Sequence, residues 1–134
     1  MREPLIGASL EASLTVKSLE DSATWYTGVL GFVEEKRHER GGKLIGVSLR
    51  AGSLRILLTQ DDGSKGMDRA KGQGLSLQIS THQNVDIIAA EFKRQGGVLD
   101  TEPTTYPWGV RVIRFRDPDG FRFTLSSSDT KEAK

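Results

Sequence analysis

The chain has 134 residues, enough for one domain with one modest core, and a net charge of +1, which lacks the basic surplus typical of nucleic-acid-binding proteins. Cysteine is absent, which excludes disulfides, thiolate metal ligands and a cysteine nucleophile. Because no apolar run resembles a signal peptide or a membrane span, we expect a cytoplasmic protein with neither a membrane nor a nucleic acid as partner.

The first half of the chain predicts a strand, a helix and three further strands. Alternation of apolar and polar residues predicts the first strand over residues 11–17. Ser18 is a candidate N-cap for a helix whose apolar positions recur at helical spacing, and Gly31 is a typical helix stop. Three strands are predicted at 32–39, 43–50 and 54–59, separated by glycine-containing turns.

The second half predicts the same elements in the same order. A strand at 75–80 precedes Asn84, a candidate N-cap, and a helix with one apolar stripe. Gly96 follows that helix as Gly31 follows the first, and strands are predicted at 98–101, 111–116 and 121–126. Each half therefore reads βαβββ, as an internal duplication requires, and the predicted fold class is α+β with two such modules.

The composition of the intervening segments sets the boundaries within this single domain. The segment 61–74 is polar and glycine-rich, which predicts a surface linker, with a mobile flap over a site as the alternative. The first module then spans 7–60, the second spans 75–127, and residues 128–134 form a flexible tail.

Three stretches, in this order and spacing, resemble the vicinal oxygen chelate superfamily: "SLTVKSLEDSATWYTGVLGF", "EFKRQGGVL" and "WGVRVIRFRDPDGFRFTL". That superfamily includes glyoxalase I, extradiol dioxygenases, and fosfomycin- and bleomycin-resistance proteins. The resemblance implies that each module bends its sheet into half of an open barrel and that two modules enclose a cleft. Because modules pair within one chain or are exchanged between two, it also implies a homodimer.

The resemblance implies metal-ligand positions in the first and last strands of each half, and this chain departs from the pattern there. The positions fall on Glu11, Leu57, Gly74 and Thr124. Only glutamate is a good ligand for a divalent cation, and metal-dependent members carry glutamate where this chain has Thr124. We therefore expect no metal and no other cofactor, as in the bleomycin-resistance-like branch.

The ionisable candidates each allow two interpretations. Glu11 either pairs with an arginine, Arg111 or Arg122, or acts as a cleft carboxylate that binds a basic ligand group or serves as a base. His38 and His82 lie in charged or turn sequence, which favours solvated residues without a role.

The second half also carries aromatic and basic candidates. Trp108, on a loop between strands, either covers the barrel end as core or forms a pocket wall, and the resemblance favours the wall because it implies that this loop lies at the cleft mouth. Tyr106 is a weaker candidate for the same role. Four arginines could form an anion site, but strand alternation should divide them between two faces, which argues against a single patch of all four. These arginines are Arg111, Arg114, Arg116 and Arg122.

Together these observations predict a protein that binds and sequesters a small molecule, such as an antibiotic, without catalysing a reaction. One alternative is a lyase, isomerase or dioxygenase-like enzyme that uses Glu11 as base or a metal site not recognised in the sequence. Another is a structural or protein-interaction dimer. The predicted ligand-binding residues are Glu11, Ser13, Leu57, Ser76, Gln78, Trp108, Arg122 and Thr124.

Overall fold

The computed structural model describes residues 2–66 and 69–128, and its elements follow the predicted order. The first module contains β1 (Ala12–Val16), α1 (Leu19–Gly28), β2 (Val33–Arg40), β3 (Lys43–Ala51) and β4 (Leu54–Gln60). The second contains β5 (Ser76–Thr81), α2 (Val85–Arg94), β6 (Leu99–Thr105), β7 (Arg111–Arg116) and β8 (Arg122–Ser127). The predicted α+β class with two βαβββ modules is confirmed. Of the predicted tail, only Ser128 lies within the described residues.

The two sheets repeat one topology. The strand order is β1-β4-β3-β2 in the first and β5-β8-β7-β6 in the second. In each, the first strand runs parallel to the last and the remaining pairs are antiparallel. Neither sheet closes into a barrel. No helix of the described chain is long and apolar enough to cross a membrane.

Local sequence explains where both helices begin. Ser18 Oγ accepts a hydrogen bond from the backbone N–H of Asp21 at 3.2 Å, and Asn84 Oδ1 accepts one from Ile87 N–H at 3.1 Å. Each cap satisfies an N–H group that the helix itself leaves free. After α1 the chain reverses at Gly31, whose φ of 88° lies in the left-handed region that glycine adopts readily.

An aromatic cluster joins the two modules on the helix side of the sheets. Trp25 of α1 lies 5.9 Å from Phe92 of α2, and Tyr26 lies 6.1 Å from Phe123 of β8, measured between ring centroids. Phe92 and Phe115 are 4.9 Å apart in the same cluster. Burial of these rings removes a large apolar area from water, so the cluster is a principal source of the cohesion between the modules.

Tyr26 also connects the modules through a buried hydrogen bond. Its hydroxyl donates to Asp117 Oδ2 at 2.7 Å, across 91 positions of the chain. Asp117 Oδ1 accepts from the backbone N–H groups of Asp119 and Phe121 at 2.9 and 2.8 Å. Burial raises the pKa of the Asp117 carboxyl, and burial beside Asp117 raises the pKa of Tyr26. The turn at 117–120 is thus a buried anchor between modules.

The segment 61–74 is held down more firmly than a surface linker would be. Asp61 and Lys71 form an ion pair whose side chains are only 4% and 3% exposed. The hydrogen bond from Lys71 is the main cause of the lowered pKa of Asp61. Gly72 packs against Phe121 so closely that a Cβ on Gly72 would lie 2.8 Å from the ring. Residues 67 and 68 of this segment lie outside the described part of the chain.

This buried pair predicts how trypsin cuts the segment. Trypsin should cleave slowly after Lys71, because its side chain is buried. Cleavage after Lys65, which is exposed in the same segment, should be faster and serves as the internal reference. In Asp61→Asn, Lys71 loses its carboxylate partner, and we expect cleavage after Lys71 to become about tenfold faster with little change at Lys65. Mass spectrometry of a time course measures both rates. Equal rates at the two sites in the wild-type protein would contradict this interpretation.

Candidate functional site

Each sheet presents a polar face on the side away from its helix. Phe123 and Leu125 of β8 are buried, while Arg122 and Thr124 between them point the opposite way. We call this side of the second sheet the second polar face. Its members include Ser76, Gln78, Arg114, Arg116, Arg122 and Thr124.

Strand register arranges the second polar face in two rows. Ser76, Arg122 and Arg116 stand side by side across three strands. In the next row Gln78 and Thr124 stand beside Arg114. Four of the predicted ligand-binding residues, Ser76, Gln78, Arg122 and Thr124, therefore lie together.

Trp108 lies at the edge of this face and is held in a fixed orientation. Its ring stacks on Tyr106 with centroids 4.9 Å apart and planes 4° apart, yet Trp108 remains 72% exposed. Arg114 donates a hydrogen bond to the Tyr106 hydroxyl at 2.7 Å, and its guanidinium lies 5.6 Å from that ring's centroid. Tyr106, the weaker sequence candidate, thus positions both Trp108 and Arg114.

The first sheet carries a second group of candidates. Ser13 pairs with Leu57 in the β1–β4 register, and Ser48 stands beyond Leu57. We call this side the first polar face, and its members include Ser13, Thr15, Lys36, His38, Ser48, Leu57 and Thr59.

His38 belongs to this face, although its charged sequence surroundings suggested a solvated residue. It is partly buried, and its Nε2 lies 2.8 Å from Ser48 Oγ. Its strand partner Gly46 has no side chain, which leaves space for the imidazole: a Cβ on Gly46 would lie 3.6 Å from His38 Cδ2. That pairing with a glycine across the sheet was not readable from the sequence around His38.

Glu11 lies exposed immediately before β1 and has no ion-pair partner among residues 2–66 and 69–128. The predicted alternative that Arg111 pairs with it is wrong. Arg111 instead makes two hydrogen bonds to Asp86 of α2 at 2.7 and 2.8 Å, which lower the pKa of Asp86. The reason is alternation, since Arg111 shares the helix side of β7 with Ile113.

The described part of the chain contains two cavities whose linings can be compared with the predicted ligand-binding residues. A cavity of about 390 Å³ lies beside β1, lined by Ser13 and Thr15, by Phe121, and by residues 69–73 of the linker. A larger one of about 780 Å³ opens on the helix side, between the turn at 51–53 and α2, and its described lining includes none of the eight predicted ligand-binding residues. Neither cavity brings the candidates of the two polar faces together, and Glu11 is a member of neither face as defined above.

The residues at the family's metal positions do not fit a divalent cation. Within the described residues, no cluster of three or more histidine, cysteine, aspartate or glutamate side chains could hold a metal ion. Of the four positions, Leu57 and Gly74 offer no side-chain donor atom and Thr124 offers only a neutral hydroxyl.

Comparison with known proteins gives one family. The family model described as "Glyoxalase/Bleomycin resistance protein/Dioxygenase superfamily" matches residues 9–125. Comparison with curated proteins gives no match.

Several solved structures share the fold. TioX from Micromonospora sp. ML1 is 18% identical with a TM-score of 0.75, covering 91% of this chain and 99% of TioX. The hypothetical protein SA1046 from S. aureus is 24% identical with a TM-score of 0.69, and the match covers 91% of this chain and 95% of SA1046. A glyoxalase/bleomycin resistance protein/dioxygenase from Nocardioides is 18% identical with a TM-score of 0.69, and the match covers 100% of this chain and 90% of the Nocardioides protein.

Proposed function

Because this chain belongs to the glyoxalase/bleomycin resistance protein/dioxygenase superfamily, we propose that it binds and sequesters a planar small molecule on its polar faces without a catalytic metal. Membership confirms the resemblance found in the sequence. The metal-independent, sequestering character is our proposal. It is supported by the residues at the family's metal positions, which supply one carboxylate where several ligands are required.

The observation that carries this proposal is the exposed, oriented ring of Trp108. Tyr106 holds one side of the indole by stacking, and 72% of Trp108 remains accessible to solvent. A planar ligand stacked on the open side would bury apolar area at little entropic cost, because the indole is already fixed. On the same polar face, Gln78 and Thr124 supply neutral hydrogen-bonding groups that would orient the ligand.

We further propose that a second copy of the chain completes the cleft. Both polar faces are open in the single chain, and each carries only part of the candidate set. If the first polar face of one copy covers the second polar face of the other, Ser13 and Leu57 join Gln78 and Thr124 around one ligand. Sedimentation at micromolar concentration tests this arrangement, and a monomer at all concentrations would count against it.

Fluorescence of Trp108 provides the main test of function. In a Trp25→Phe background, which leaves Trp108 as the only tryptophan, a panel of planar aromatic compounds should include members that quench the emission. Trp108→Ala should weaken binding of those compounds by about tenfold, measured by calorimetry, while Trp108→Phe keeps most of the affinity. Compounds should be recovered unchanged after incubation. Equal affinity in Trp108→Ala would refute the proposed site, and chemical conversion would favour an enzyme.

A further inference from the structure

The four arginines lie on two faces, as strand alternation predicts, and three of them share the second polar face. Arg114 and Arg116 alternate on β7, and Arg122 lies opposite Arg116 on β8. Only Arg111 points to the helix side, where Asp86 neutralises it. The antiparallel register of β7 and β8 places the other three on one side of the sheet, so a site for an anion on this face would exclude only Arg111.

The three arginines differ in whether an acidic side chain neutralises their charge. Arg116 makes two hydrogen bonds to Asp100, both at 3.0 Å, so its charge is paired. Arg114 contacts a phenol hydroxyl and a ring, neither of which carries a negative charge. Arg122 has no hydrogen bond or ion pair with any residue in the described ranges, 2–66 and 69–128. Two positive charges on this face therefore lack an acidic partner within that part of the chain.

These two cations stand close enough to act on one group. Thr124 is the direct neighbour of Arg114, and Arg122 lies two residues before Thr124 on the same side of β8. Arg114 and Arg122 are thus diagonal neighbours, whose Cα atoms in an antiparallel pair are typically about 7–8 Å apart. Long guanidinium side chains can span that separation, and Ser76, Gln78 and Thr124 add neutral donors beside them.

We propose that the ligand of this face carries an anionic group, a carboxylate, phosphonate or phosphate, attached to a planar ring. The anion binds to Arg122 and Arg114, and the ring stacks on Trp108. Guanidinium groups suit this role because they bind oxyanions through two parallel hydrogen bonds. A cationic ligand would meet two uncompensated positive charges. This inference rests on the proposed function, since it specifies the chemistry of the same site.

The test compares three probes with one ring system and different charge. Naphthalene-2-carboxylate is anionic, naphthalene-2-carboxamide is neutral and naphthalen-2-ylmethanamine is cationic at pH 7. We expect the carboxylate to bind about tenfold more tightly than the carboxamide, and the amine to bind most weakly, by calorimetry at low salt. Arg122→Gln should reduce the affinity for the carboxylate to that for the carboxamide. Arg94→Gln, which makes the same charge change on α2, should alter neither affinity.

Each contrary result has a distinct meaning. Equal affinities for carboxylate and carboxamide in the wild-type protein, or an equal loss of both in Arg122→Gln, would overturn the anionic preference and leave the proposed function standing. If Arg122→Gln weakens self-association and leaves carboxylate binding unchanged, Arg122 serves a contact between copies, and the inference is again overturned. If none of the three probes binds, the ring site itself fails, and the proposed function fails with it.

Discussion

Tyr26→Ala is expected to lower the free energy of unfolding by about 5 kcal/mol, near the upper end for removal of a buried aromatic ring. Tyr26 is completely buried and its ring contacts Trp25, Phe32 and Phe123. The substitution opens a cavity between the modules and also removes the hydroxyl that donates to the buried carboxylate of Asp117. Urea denaturation measures the change, and the ellipticity at low urea shows whether the variant still folds.

Tyr26→Phe is the matched control, because it keeps the ring and removes only the hydroxyl. We expect it to cost about 1–2 kcal/mol at neutral pH, the typical cost of losing one hydrogen bond to a buried charged group. If Tyr26→Phe were as destabilising as Tyr26→Ala, the ring would contribute nothing and the packing argument would be wrong.

The same pair of residues predicts a pH dependence with a defined sign. Because burial raises the pKa of Asp117 in the folded state, the folded protein holds this proton more tightly than the unfolded chain. The protonated Asp117 carboxyl therefore makes its full contribution to stability at pH values below the pKa that Asp117 has in the unfolded chain. This contribution declines as the pH rises through the pKa that Asp117 has in the folded protein. Tyr26→Phe removes a hydrogen bond that lowers this pKa, so the decline should be larger. Asp117→Asn should abolish it, as measured by urea denaturation between pH 3 and 8.

Gly97→Ala is expected to destabilise the protein by about 2–3 kcal/mol, an overpacking effect. A Cβ on Gly97 would lie 2.7 Å from Cζ of Phe92, well inside van der Waals contact. The ring cannot retreat easily, because Phe92 is 2% exposed and lies against Phe115 and Trp25. Gly28→Ala is the matched control, since a Cβ there meets nothing within 4 Å and alanine favours the helix. Thermal and urea unfolding compare the two variants.

A double substitution tests the stated cause of the Gly97→Ala effect. Phe92→Leu creates space at the position that the new methyl group would occupy. The double variant, Gly97→Ala with Phe92→Leu, should therefore be more stable than the sum of the single changes predicts. Additive free energies would show that Gly97→Ala acts through the backbone rather than through Phe92.

The sequence by itself determined the order and type of the secondary-structure elements and the duplication, although β6 extends to Thr105 beyond the predicted 98–101. The caps at Ser18 and Asn84 and the glycine stop at Gly31 depend on contacts within a few residues, so local chemistry identifies them. Apolar alternation likewise predicted β7 at its observed bounds, and the order of elements with its characteristic motifs predicted the family. At the four metal positions that the resemblance implies, the sequence also showed one suitable ligand, Glu11.

Only the tertiary structure decided which distant residues meet. Tyr26 and Asp117 are 91 positions apart, and Arg116 and Asp100 meet because two strands pair in one particular register. Local patterns carry no information on such pairs, since register and module packing are set by the whole core. The burial of Asp61 with Lys71 and the place of His38 beside Gly46 likewise depend on the assembled fold. They became visible only once the sheets were assembled.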